Sequence, residues 1–254
     1  MKYSVCIESV FEELPIYERI EKVHDFRPDA LEFWDLSKYD VKQLGPALAK
    51  YNYIPLLCCC NDQWAVRTNM PYQVLENKVE ETLNTAGEYG CSQVILMAGD
   101  VKRGHDTNKV LTVENLKRLS DYLEKKNARV LLEPLNSIYD HKGYALDNAY
   151  DGFEIIESVD SPRVKLLFDC YHMQVMQGNL INSICDNFDY IGHVHSAGVP
   201  GRHELDQGEV NYPLIIKTLD DRNYQGYFGL EYFPSYDSYQ SLKNQFLYVR
   251  DQLR

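Results

Sequence analysis

Short apolar runs alternate with longer amphipathic stretches along the whole chain. Tyr3–Ile7, Ala30–Trp34, Tyr53–Cys60, Gln93–Ala98, Arg129–Glu133, Val164–Asp169, Tyr190–Ser196 and Tyr227–Glu231 are each too short for a stable helix. They read as buried strands. Between them, Leu14–Asp25, Val41–Tyr51, Pro71–Tyr89, Asn108–Lys126, Asn148–Val159, a stretch after Asp169, Tyr212–Asp221 and Ser238–Leu253 carry apolar residues at helical spacing. In the first of these, Leu14, Tyr17, Ile20, Glu21 and His24 mark out the period. In the fourth, Val110, Leu111, Val113, Leu116, Leu119 and Leu123 form the expected apolar face. Gly90 stops the third, and Ser161-Pro162 closes the fifth.

Strict alternation of strand and helix predicts parallel strands joined by right-handed crossovers. Eight such units in 254 residues match a (β/α)8 TIM barrel spanning residues 1–254 as one domain. A doubly wound open sheet is the rival. It ordinarily carries a Gly-rich turn after its first strand, and none stands here.

In a barrel, chemistry sits at the C-terminal ends of the strands. Strands five to eight end at Glu133, Asp169, His195 and Glu231, so four consecutive apolar runs each finish on a side chain able to hold a metal. A strand-end polar group meeting water explains any one of them better than all four. Three carboxylates at one mouth repel one another unless a cation joins them. Three carboxylates with one imidazole favour Mn²⁺ or Mg²⁺, and Co²⁺ also suits the set. Residues two apart on a strand share a face, so His193 lies one layer beneath His195 as a support, and Gly192 and Val194 face the helices.

The formal net charge of −12 argues against a nucleic-acid backbone partner, since no basic face is present. No run is long and apolar enough for a membrane span, and the N-terminus does not read as a signal peptide. Seven cysteines without a CxxC pair, three of them adjacent at Cys58–Cys60, read as reduced core thiols in the cytoplasm.

LLEPLN (131–136), FDCYHMQ (168–174), GHVHSAGVPGRHELDQGEVNY (192–212) and LEYFP (230–234) together resemble the xylose isomerase-like barrel superfamily. Within it, the chain is similar to the hydroxypyruvate isomerases and ketose 3-epimerases, as is FEELPIYERI (11–20) to the hydroxypyruvate isomerase opening. The resemblance covers essentially the whole chain. It implies a divalent-metal isomerase with Glu133, Asp169, His195 and Glu231 as ligands, Glu133 and Glu231 as the acid/base pair, and His172 and Arg202 holding substrate oxygens. Glu204 lies in the same loop and is grouped with the substrate-binding residues. Two features cross the subfamilies. Hydroxypyruvate isomerases usually carry Gln where His195 stands, as the epimerases do not. The loop GVPGRHELD looks like hydroxypyruvate isomerase, and Tyr139 replaces a Glu that epimerases tend to use.

The expected reaction is isomerisation or epimerisation of a small unphosphorylated sugar or hydroxy-keto acid by proton transfer through a metal-bound cis-enediolate. The loop after Glu231, YFPSYDSY, has no Gly-rich turn or basic residue for a phosphate. Trp64 and Cys60 are placed at the pocket wall against a packing role of equal weight, with Tyr232 and Phe233 beside the mouth. A ketose 3-epimerase and a metal-dependent lyase or dehydratase are the alternatives, followed by a nuclease and a non-enzymatic binding module. A homo-oligomer is a family expectation.

Overall fold

A computed structural model describes residues 1–100 and 106–251. Eight parallel strands form a closed barrel in sequence order, and the last pairs with the first. They are β1 (Lys2–Cys6), β2 (Ala30–Phe33), β3 (Pro55–Cys59), β4 (Gln93–Met97), β5 (Arg129–Glu133), β6 (Val164–Asp169), β7 (Ile191–Ser196) and β8 (Tyr227–Leu230). Nine α-helices lie among the described residues: α1 (Ile16–His24), α2 (Val41–Lys50), α3 (Tyr72–Gly87), α4 (Asp106–Lys126), α5 (Ala149–Val159), α6 (Cys170–Met176), α7 (Leu180–Asp186), α8 (Tyr212–Asp221) and α9 (Ser238–Asp251). The end of the expected last helix, residues 252–253, lies outside the described residues. No described helix is long and apolar enough to cross a membrane.

The strands are apolar on both faces because each is sandwiched between the barrel interior and the helices. Outward residues such as Val5, Leu31, Phe33, Val94, Leu96, Phe228 and Leu230 pack against the helices and are fully or almost fully buried. Helix ends are set locally. Asp40 caps α2 through Lys42 N, Asn148 caps α5 through Asp151 N, and Asn211 caps α8 through Leu214 N. The seven cysteines are unpaired and six are buried, as their apolar surroundings require.

Three sequence expectations need correction. The buried stripe of α4 runs through Thr112, Asn115, Leu116, Leu119 and Leu123, whereas Val110 and Leu111 are exposed. Extending the Leu116–Leu119–Leu123 period backward reaches residue 112, not 110 or 111. The single helix expected after β6 is two, α6 and α7, separated at Gly178-Asn179, both with positive φ. Gly192 does not face the helices. The β6–β7 register slips between Leu166 and Leu167, and a Cβ on Gly192 would strike Leu131 and Lys165. Those residues share strand parity with Glu133 and Asp169, so Gly192 faces the barrel side. The slip still leaves His193 and His195 on that face.

The loop after β5 folds back on its own strand. Tyr144 Oη donates to Glu133 O and accepts from Ala98 N, both at 2.7 Å, tying the ends of β4 and β5 together. Tyr144→Phe keeps the ring and strands two buried backbone groups. It is expected to cost about 1–3 kcal/mol, measured by urea unfolding in the presence of chelator.

Candidate active site

The C-terminal ends of β5 to β8 converge as the alternation predicts. Glu133, Asp169, His195 and Glu231 are all buried, and one ligand atom from each lies within 4.8 Å of the others. Asp169 ends β6 and also caps α6, its Oδ1 accepting from Tyr171 N (2.7 Å) and His172 N (3.3 Å). The cap fixes the carboxylate and leaves Oδ2 to face the cluster. Glu231 is held from two sides. Its Oε1 accepts from Trp34 Nε1 at 2.5 Å, and its Oε2 accepts from Arg202 Nη2 at 2.5 Å. His195 Nδ1 stands 3.3 Å from Glu231 Oε2 and 3.8 Å from Glu133 Oε1. That nitrogen has no hydrogen-bond partner among the described residues.

The electrostatics show a set that is short of positive charge. Burial pushes Glu133 up to about 7 against the pull of His195. Burial likewise pushes Asp169 up to about 6, against Arg202. Burial opposes the charge of Glu231 too, but Arg202 and His195 outweigh it and hold this carboxyl well below its usual range. Protons or a cation must therefore complete the cluster. Three buried carboxylates and an imidazole nitrogen without a hydrogen-bond partner fit a divalent ion, and these four residues would hold it.

A cavity of about 300 Å³ opens onto the cluster, lined by Glu133 and Glu231 with Trp34, Cys59, His172, Arg202 and Phe233 among others. His172 Nδ1 accepts the backbone N–H of Asn136 (3.2 Å), and burial keeps the ring well below its usual range. A neutral ring accepting at Nδ1 carries its proton on Nε2, which stands 3.6 Å from Asp169 Oδ2 and has no hydrogen-bond partner among the described residues. Arg202 follows Gly201, and both have positive φ. The Arg202 backbone is clamped, with its N–H on Gly198 O (2.9 Å) and its carbonyl on Phe233 N (2.8 Å). Gly198 is obligatory here, since a Cβ would sit 2.3 Å from Glu204 O. Trp64 lines the outer wall, stacked on His141 with centroids 5.1 Å apart.

Not every expected residue reaches the cavity. Cys60 turns outward to α3, with Sγ 3.3 Å from Thr82 Oγ1, and burial raises its thiol to about 11. Strand parity gives the cavity wall to Cys59 instead. Glu204 is absent from the lining. Its carboxylate accepts from Ser235 N (3.0 Å), Ser235 Oγ (2.7 Å) and Ser241 Oγ (2.7 Å), fastening its loop to α9. Tyr232 is buried on Ser241, whereas Phe233 lines the mouth. His193 does sit beneath His195, with ring centroids 4.8 Å apart.

Sequence reasoning passed over Glu32 and Trp34. Glu32 is a buried acid inside the apolar run ALEFW, and its place there was the available signal. Trp34 is placed by Glu8, which accepts from Trp34 N, from Asp35 N (2.9 Å) and from Tyr39 Oη (2.8 Å). Asn136 closes the LLEPLN run but was given no role of its own, and His141, further along the loop after β5, carried no recognisable pattern.

A closed eight-stranded barrel with a buried carboxylate–histidine cluster at its mouth has the layout of an enzyme on this fold, and the cluster fits a divalent ion. The profile described as xylose isomerase-like TIM barrel matches residues 17–250, and the chain belongs to that family. It is 28% identical over 244 residues to hydroxypyruvate isomerase of Escherichia coli (strain K12), covering 92% of this chain and 94% of that one. It is 36% identical over 171 residues to the putative hydroxypyruvate isomerase of Xenopus laevis. That match spans 65% of this chain and 62% of the Xenopus protein, under two thirds of its length. Among solved structures, AP endonuclease, family 2, from Brucella melitensis superposes with a TM-score of 0.88 at 26% identity, covering 95% and 97% of the two chains. D-allulose 3-epimerase from Methylomonas sp. has a TM-score of 0.80 at 19% identity over 99% and 97%, a likeness of fold alone.

Metal binding must displace protons from Glu133, Asp169 and His195. Mn²⁺ affinity is therefore expected to rise with pH through the range of about 6 to 7 set by the two carboxyls. Mn²⁺ at one hundred times its dissociation constant should stabilise the fold by about 2.7 kcal/mol. Asp169→Asn should remove most of that gain. Thermal unfolding with and without chelator measures both effects.

Proposed function

We propose that the protein is a divalent-metal-dependent isomerase of a small unphosphorylated hydroxy-keto acid, interconverting a 3-hydroxy-2-keto acid and its 2-hydroxy-3-oxo isomer. The observation that carries this reading is the position of two buried glutamates in one small cavity, beside an imidazole and a third carboxylate. The similarity to proteins named hydroxypyruvate isomerase and 2-oxo-tetronate isomerase supports the substrate class. Glu133, Asp169, His195 and Glu231 would hold Mn²⁺ or Mg²⁺, and Co²⁺ suits the same donors. When bound, the ion supplies Lewis-acid polarisation of a carbonyl and its neighbouring hydroxyl.

The protein side chains divide the remaining work. Glu231, kept ionised by Arg202, is the base that removes the proton from the carbon beside the carbonyl. The proton is then delivered to the adjacent carbon, and Glu133, which lines the same cavity, is the second acid/base group of the pair. The hydroxyl proton passes to the former carbonyl oxygen, so atoms balance and the base is regenerated in the same turnover. His172 Nε2–H donates to a substrate oxygen. Arg202 offers the N–H groups not committed to Glu231, including a buried Nε without a partner among the described residues, to the substrate carboxylate. Trp34, through Glu231 Oε1, holds the base in one rotamer.

The same pair supports epimerisation as the second reading. A proton taken by one glutamate and returned by the other from the opposite face inverts the carbon, and both glutamates line the cavity.

Glu133→Gln and Glu231→Gln are each expected to lower kcat by about 10²–10⁴-fold while circular dichroism remains native. Near-normal turnover in both overturns the assignment. Product identity on hydroxypyruvate, longer 2-keto acids and free ketoses separates isomer from epimer, and a product lighter by one water signals a dehydratase.

A further inference from the structure

Glu32 is an anomaly in the barrel. Barrel interiors of this fold are filled mainly by branched apolar side chains, yet Glu32 on β2 is a carboxylate of 1% exposure. Its surroundings are built around it. His195 Nε2 stands 2.7 Å from Glu32 Oε2, and His193 Nε2 lies 2.9 Å from Oε1. Gly229 on β8 leaves the room for all three. A Cβ there would fall 2.8 Å from Glu32 Oε1, 2.8 Å from His195 Cδ2 and 2.9 Å from His193 Nε2. Three strands thus contribute to one buried polar contact that sits below the cluster and outside the substrate cavity.

The contact has a direction. Glu32 can only accept, so the His195 nitrogen facing it must carry a proton. The opposite tautomer would set an imidazole lone pair against a carboxylate at 2.7 Å, which is repulsive. The other ring nitrogen, Nδ1, is the one that faces Glu133 and Glu231 and has no hydrogen-bond partner among the described residues. A ring whose far nitrogen is pinned by an acid presents its near nitrogen as a fixed, more basic donor.

We propose that Glu32 is a positioning residue. By accepting the Nε2 proton of His195 it fixes the tautomer and orientation of that ring and keeps the Nδ1 lone pair aimed into the carboxylate cluster. His193 stands beside the second oxygen of Glu32 without hydrogen-bond geometry, and Gly229 keeps the space open. The inference rests on His195 being a ligand, as proposed above, and concerns how that ligand is held.

The test needs no substrate, so failure of the isomerase reading would appear separately, as absent turnover in the wild-type enzyme. Nitrogen-15 spectra of histidine-labelled protein loaded with diamagnetic Zn²⁺, with the His195 signals assigned by their loss in His195→Gln, report the proton positions directly. The expected result is a slowly exchanging, hydrogen-bonded proton on Nε2 and none on Nδ1. A proton on Nδ1 overturns the proposal without recourse to any Glu32 variant. Mn²⁺ affinity, followed by electron paramagnetic resonance, is expected to fall about 10–100-fold in Glu32→Gln. Glu32→Asp keeps the charge but withdraws the carboxylate by one methylene, and it is expected to lose affinity as well. Wild-type affinity in Glu32→Asp would mean that the buried charge alone matters, and wild-type affinity in Glu32→Gln would mean that the contact does not.

Discussion

Mutual repulsion among three buried carboxylates is the constraint on which the rest of this structure depends. Glu133, Asp169 and Glu231 come from three different strands and meet where water cannot screen them. Each is therefore held by a group that owes its place to the fold. The α6 N-terminus fixes Asp169, the Trp34 indole and the Arg202 guanidinium fix Glu231, and the Tyr144 hydroxyl ties the strand end that carries Glu133. The loops above the barrel serve the same end. The left-handed turn at Gly201-Arg202 and the fastening of Glu204 to α9 both set where the Arg202 charge can reach.

The barrel was legible because its physics is local. A strand buried on both faces has to be short and apolar, and a covering helix has to be amphipathic, so alternation alone yields the topology. The four converging residues were legible for a related reason. Polar side chains tolerated at the end of an apolar strand must face the mouth, and RVLLE, VKLLFD, HVH and YFGLE all show the pattern. Strand parity also placed His193 beneath His195.

What failed depended on information that is not local. Cys60 was assigned by proximity, but one residue of parity sends it to α3 and Cys59 to the cavity. Gly192 was assigned by parity, and a register slip against β6 reversed it. Glu204 sits among catalytic-looking neighbours, yet two serines more than thirty residues away occupy its oxygens. Trp34 reaches Glu231 across 197 positions of sequence, and no window of spacing reveals such a contact.

Those long reaches bear on how the molecule comes into being. The indole on the loop after β2 grips β8, and the carboxylate on β2 grips β7. A nascent chain emerging from the ribosome therefore carries its first partners long before their counterparts exist, since Glu231 follows Trp34 by 197 positions. Until that last strand closes the ring, the mouth lacks a quarter of its donor set. The four-residue cluster can therefore assemble only once β8 has joined the ring, when the other strands already wall it in.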